Sequence, residues 1–135
     1  MIKYLYNTDF KLKNEKTISS WIINVIDEET KELGEINFYF CDDNELLESN
    51  TKYLNHEEYT DILTFDYSEK KLVSADIMIS VDRIQENSSI FDQKFEDELH
   101  RVIIHGILHI IGYNDKTEEE KKLMRKKEDY YIKKV

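Results

Sequence analysis

From about Lys94 to Ile111 the chain sets its large apolar residues at helical spacing, and that stretch constrains the fold more than any other. Placing His105 at 0° and advancing 100° per residue puts Leu99, Ile103, Ile104, Ile107, Ile110 and Ile111 between about 100° and 260°. An arc of that width has to face a core. His109 falls at about 40° and Glu98 at about 20°, opposite the arc, so His105 and His109 are not histidines satisfied by core packing. His100, at about 220°, lies on the apolar side and reads as a partly buried packing residue.

The segments around this helix alternate with the period of strands that bury one face. Ile2, Tyr4 and Tyr6 alternate weakly. Ile36, Phe38 and Phe40 alternate with Asn37, Tyr39 and Cys41; Leu63, Phe65 and Tyr67 alternate with Thr64 and Asp66. The longest run is Val73, Ala75, Ile77, Ile79 and Val81. Helical spacing recurs in Ile18, Trp21, Ile22, Val25 and Ile26, with Thr17 as the expected cap and an end near Leu33-Gly34. Asp42 with Glu45, and Thr117 with Glu120, have capping-box spacing and should open two further helices. Met124 and Tyr131 in the last of these read as core. With no proline and three glycines in 135 residues, nothing marks a linker. The expectation is one α+β domain over 1–135: a small mixed sheet of about four strands, packed with helices, and a long central metal-binding helix.

A lone cysteine, Cys41, excludes an internal disulfide and any zinc site built on several cysteines. No apolar run is long enough to span a membrane, and Met1-Ile2-Lys3-Tyr4 does not begin a signal peptide; a cytoplasmic protein is expected. The formal charge of −10 speaks against nucleic acid, yet it is unevenly spread. Residues 121–135 carry seven basic and two acidic side chains, net +5, leaving −15 in the first 120. A lysine-rich last helix reads first as a solvated face and second as a surface for a polyanion. Trp21 and the tyrosines are scattered over several elements, so no base-stacking platform is expected.

His105 and His109, one helical turn apart, point the same way. Gly112 then lets the backbone turn through positive φ and brings Asp115 toward them. Two imidazoles and a carboxylate with an open fourth position form the pattern of a catalytic metal site. The zinc-peptidase motif needs a glutamate directly after the first histidine as general base, and here that residue is Gly106. Gly106 also suggests room for a bulky substrate against the helix. A phosphodiester fits better as the target of such a site.

The run His105-Gly106-Ile107-Leu108-His109-Ile110-Ile111-Gly112-Tyr113-Asn114-Asp115 resembles the signature of the YbeY family. Two upstream blocks resemble that family too: Thr60-Asp61-Ile62-Leu63-Thr64-Phe65 and Ala75-Asp76-Ile77-Met78-Ile79-Ser80. The resemblance implies a zinc-dependent, single-strand-specific endoribonuclease acting on ribosomal RNA, at the 3′ end of 16S RNA, and in ribosome quality control. Ribosomal RNA and small-subunit proteins are then the partners. It implies one zinc per chain held by His105, His109 and Asp115, with Asp115 where the family has a third histidine. The family's arginine after a tyrosine, associated with RNA phosphate, is replaced by Leu54 after Tyr53. The phosphate cation is then Lys52, His56 or Arg101. Arg101, one turn before His105, joins His105 and His109 as an expected catalytic residue, its other reading being a surface partner of Glu98 or Asp97. For Asp76 a place near the site and a structural place on the strand face both stay open. Two other classes stay open as well: a non-catalytic maturation factor stabilised by its metal, and a zinc peptidase.

Overall fold

Alternation with period two produces the strands where expected, and their pairing makes one sheet. The computed structural model describes residues 1–54 and 60–135; His56 lies outside the described residues. Strand β1 (Ile2–Tyr6) leads into helix α1 (Glu15–Glu28), strand β2 (Glu32–Cys41) and helix α2 (Asp43–Leu54). Strands β3 (Ile62–Asp66) and β4 (Leu72–Ser80) precede three helices: α3 (Val81–Ile90), α4 (Phe95–Ile111) and α5 (Glu118–Ile132). The strand order is β1-β2-β4-β3, with β2 parallel to both its neighbours and β3 antiparallel to β4. The α+β class and the mixed four-stranded sheet are as expected. Among the described residues no helix is long and apolar enough to cross a membrane.

One sheet face carries Ile36, Phe38 and Phe40 of β2 beside Ala75, Ile77 and Ile79 of β4, all buried. Helix α1 brings Ile18, Trp21, Ile22, Val25 and Ile26 to this core, and α4 adds its whole apolar arc. Met124 and Tyr131 of α5 are buried in the same cluster, as their spacing suggested. The opposite face is smaller: Cys41, Leu46 and Leu63, flanked by Tyr39, Phe65 and Met78. Burial pushes the Cys41 thiol up to about 12, and the surrounding acids add to it, so this cysteine is a packing group and not a nucleophile. Asp76 also belongs to this face, accepting a hydrogen bond from Asn37 Nδ2 at 3.0 Å.

Three local expectations are corrected. Helix α1 begins at Glu15, so Thr17 lies inside it instead of capping it, and it ends at Glu28, followed by Thr30 at φ 58°. Leu33-Gly34 is strand: the register shifts between Leu33 and Ile36, and this irregularity breaks the alternation that would have marked the start of β2. Gly34 is required by crowding, since a Cβ there would stand 2.2 Å from Ser74 Oγ and 2.9 Å from the Val73 carbonyl oxygen. Helix α3 replaces the end of the expected last strand. Ser80 caps it, accepting from the Arg83 N–H at 3.2 Å, and Ile84 is its buried apolar residue. With Val81 half-buried, one fully buried apolar residue leaves too little periodicity to read.

Elsewhere the local signals work as chemistry requires. Thr117 and Glu120 form a complete capping box at the start of α5. Asp42 Oδ1 accepts the Glu45 N–H at 2.8 Å, but the Glu45 carboxylate turns to Asn7 and Tyr39 instead of back to Asp42.

Candidate active site

Helix α4 crosses the sheet so closely that a side chain at its middle would have to displace the end of Ile62. A Cβ on buried Gly106 would lie 2.7 Å from Ile62 Cδ1, with Thr64 and Ile77 methyl groups next at 3.7 and 3.9 Å. Gly106 therefore serves helix-to-sheet packing, and the substrate room expected there does not exist. The same close approach brings β3 up to the histidine face.

His105 is held from two sides. Its Nδ1 lies 2.7 Å from Glu128 Oε2 on α5, and its Nε2 lies 3.3 Å from Asp115 Oδ2 in the loop after Gly112. A carboxylate only accepts, so Nδ1–H donates to Glu128; this leaves Nε2 of the neutral ring with its lone pair toward Asp115. Glu128 is 4% exposed and uses its other oxygen to accept from Arg101 Nη1 at 2.9 Å. Arg101 Nη2 donates to Asp129 Oδ1, also at 2.9 Å. The guanidinium is thus spent on clasping α4 to α5; its hydrogen-bonded partners are on α5 and not the neighbouring Glu98 or Asp97.

His105, Asp115, Glu128 and Arg101 line a cleft of about 420 Å³ together with Asp61, Ile62, Glu98, Val102, Lys121, Met124 and Arg125. Burial raises the carboxyl pKa of Asp61 and of Glu98, and for Glu98 the nearby Asp61 adds to the effect. Two acids that keep their protons to higher pH beside an imidazole are suited to proton transfer. His109, one turn beyond His105, is exposed and does not line this cleft. Lys52 lies elsewhere, in the last turn of α2, with its ammonium 5.3 Å from the Tyr53 ring centroid. His100 packs edge-on against Trp21, ring centroids 5.7 Å apart, and burial lowers its pKa.

The loop carrying Asp115 is itself anchored. Gly112 takes φ 131° and ends α4. Tyr113 OH then donates to Glu29 Oε1 at 2.6 Å, while Tyr131 OH and Lys127 donate to Glu29 Oε2. Burial works against ionised Glu29, but these three donors outweigh it and hold the carboxyl below its usual range. The turn is therefore tied to the end of α1 and to α5.

Among the described residues, no three His, Cys, Asp or Glu side chains stand grouped closely enough to hold a metal ion. His105 and Asp115 nevertheless suit one. Their 3.3 Å separation matches the edge of a tetrahedron with bonds of about 2.0–2.1 Å. A carboxylate behind the ring, here Glu128, is the usual support of a ligating histidine.

Glu128 and Asp61 were not singled out as site residues by sequence reading. Glu128 had a signal, for it shares the face of Met124 and Tyr131 at i, i+4 and i+7 and so had to be buried. Asp61 stands in the Thr60–Phe65 block but shows its surroundings only once β3 meets α4.

His105 makes stability depend on pH. Its pKa is raised, first by the hydrogen bond to Glu128, with burial opposing and the Glu128 and Asp115 charges reinforcing. A raised folded pKa means the imidazolium–carboxylate contribution is complete below about 6.5, the unfolded value, and fades as pH rises through the folded value. With a chelator present, urea midpoints of the wild type should fall across that window. His105→Gln should lose this component; the same pH trend in both proteins would disprove it.

The whole chain has close counterparts. The model of the family described as Endoribonuclease YbeY matches residues 4–135. A protein named Endoribonuclease YbeY from Karelsulcia muelleri is 54% identical, covering 98% of this chain and 94% of its own. One of the same name from Flavobacterium psychrophilum is 48% identical, covering 98% and 95%. The solution structure of a Thermotoga maritima protein superposes with a TM-score of 0.67 at 27% identity, over 98% of this chain and 87% of that one.

Proposed function

Because the chain belongs to the YbeY endoribonuclease family, we propose that it is a zinc-dependent endoribonuclease that cleaves single-stranded RNA. Its substrate is ribosomal RNA, at the 3′ end of 16S RNA, in the cytoplasm and in company with small-subunit proteins; ribosome quality control is part of the same role. The observation that carries the reading is His105 held between buried Glu128 and Asp115 in a cleft that Asp61 and Glu98 also line.

His105 and Asp115 would hold the zinc, and His109, exposed one turn on, would be the third ligand once its side chain turns toward them. Lewis acidity toward the scissile phosphodiester is what a zinc ion supplies when bound there. Glu128 keeps the His105 ring in one tautomer and one orientation. Asp61 and Glu98, whose carboxyl pKa burial raises, stand at the cleft wall where an attacking or leaving oxygen needs a proton taken up or given. Asp115 adds a negative charge where a histidine would be neutral, which makes the site a milder Lewis acid than a three-histidine one.

Metal content of the purified protein, paired with ribosomal RNA cleavage, tests this. Wild type should carry about one zinc and cleave; His105→Ala should lose the cleavage, and Asp115→Ala should lose zinc. Equal cleavage by wild type and His105→Ala would overturn the enzymatic role and leave a non-catalytic maturation factor. Full zinc retention in Asp115→Ala would remove Asp115 from the ligands.

A further inference from the structure

The cleft is lined by four carboxyl groups, those of Asp61, Glu98, Asp115 and Glu128. A phosphate placed among these alone would be repelled, so an RNA strand needs cations at the rim. Among the described residues three Arg and Lys side chains line the cleft: Arg101, Lys121 and Arg125. Arg101 is unavailable, since both its terminal nitrogens are engaged at 2.9 Å by Glu128 and Asp129. Lys121 and Arg125 are different. Their side chains are 56% and 60% exposed, and each stands no closer than 3.8 Å to its carboxylate neighbour, Glu118 or Glu128. At 3.8 Å neither contact is a hydrogen bond, so both exposed cationic heads can turn to a phosphate.

Spacing on α5 explains why these two cations and not their neighbours face the site. With buried Glu128 at 0°, Lys121 falls at about 20° and Arg125 at about 60°. Lys122 and Lys126 fall at about 120° and 160°, turned to solvent. These four cations of α5 therefore divide into a solvated pair, Lys122 and Lys126, and a pair that meets the cleft, Lys121 and Arg125. The Arg125 guanidinium can grip a phosphate through two oxygens, and the Lys121 ammonium adds a point charge.

Resting on the endoribonuclease reading, we propose that Lys121 and Arg125 are the phosphate-binding residues of this chain, guiding the backbone of single-stranded RNA along the α5 rim of the cleft. They take the place left open by Leu54 and by the engagement of Arg101.

The test is fluorescence anisotropy with a dye-labelled, unstructured RNA 12-mer over a range of salt concentrations. The Lys121→Gln/Arg125→Gln double variant should bind roughly tenfold more weakly at low salt, and its log Kd against log salt should be shallower by about 1.4, near 0.7 per lost single-strand phosphate contact. Lys122→Gln/Lys126→Gln removes the same charge from the other face and should stay within about twofold of wild type. Lys121→Arg/Arg125→Lys keeps both charges and should retain the wild-type salt slope, and all variants should keep wild-type urea midpoints because the side chains are exposed. Equal weakening by the two Gln doubles, or none by the first, would overturn the assignment while leaving the enzyme reading intact. A wild type that neither binds nor cleaves RNA would overturn the enzyme reading, and this inference with it.

Discussion

Glu128→Ala is expected to lower stability by about 3–5 kcal/mol, the cost of breaking a buried ion pair by removing one partner. The Glu128 side chain is only 6% exposed and holds two cationic or polar groups at once, Arg101 at 2.9 Å and His105 at 2.7 Å. Truncation leaves the guanidinium with Asp129 as its remaining hydrogen-bonded partner and leaves Nδ1 of His105 without an acceptor inside the protein. The α4–α5 contact then loses its polar clasp while keeping its apolar part, Met124 and Tyr131. Function should suffer beyond the stability loss, because an unsupported ring turns freely. A 10- to 100-fold drop in metal affinity or cleavage is typical for losing such a carboxylate. Glu128→Gln separates the two effects. Its amide oxygen can still accept from Nδ1, so stability should fall less than in the alanine variant. Cleavage should fall as well, because a neutral amide no longer raises the basicity of the ring. Urea unfolding and a cleavage assay read both; an alanine variant within about 0.5 kcal/mol of wild type would show that the clasp contributes nothing.

Phe38→Ala should cost about 3–5 kcal/mol for a different reason, a cavity that the surrounding sheet cannot close. Phe38 is fully buried in the middle of β2, paired with Tyr4 of β1 on one side and Ile77 of β4 on the other. Its ring stacks on Tyr4 at 5.5 Å between centroids and on Phe40 at 6.5 Å. Both neighbouring strands are hydrogen-bonded to β2, so backbone collapse into the void is resisted from both sides. Equilibrium urea unfolding with an unchanged m-value is the expected result, and a loss below about 1 kcal/mol would mean that the sheet relaxes around the hole.

Much of the architecture is legible residue by residue because its signals are local. The alternation of Ile36, Phe38 and Phe40 and of Val73 to Ile79 marks the two central strands. The apolar arc of α4 places its end at Ile111, and the Thr117–Glu120 pair opens α5. Where tertiary contact overrides local preference, sequence reading fails. Gly34 suggested a helix end and instead lets β2 pass close to Ser74. Helix α3 has too few apolar residues to show a period, since Ile84 is its one fully buried apolar residue and polar contacts, the Ser80 cap and the Arg83–Asp43 pair, help to seat it. Gly106 suggested space for substrate, yet that volume belongs to Ile62.

By itself the sequence determined that His105 and His109 share a helix face turned away from the core, because facing follows from a fixed angle per residue. It also determined that Gly112 redirects the chain toward Asp115. Only the tertiary structure decided that Glu128 stands behind His105, that Arg101 is engaged, and that Lys121 and Arg125 look into the cleft. Those outcomes depend on how α5 seats on α4, through residues more than twenty positions apart, and no local periodicity carries that information.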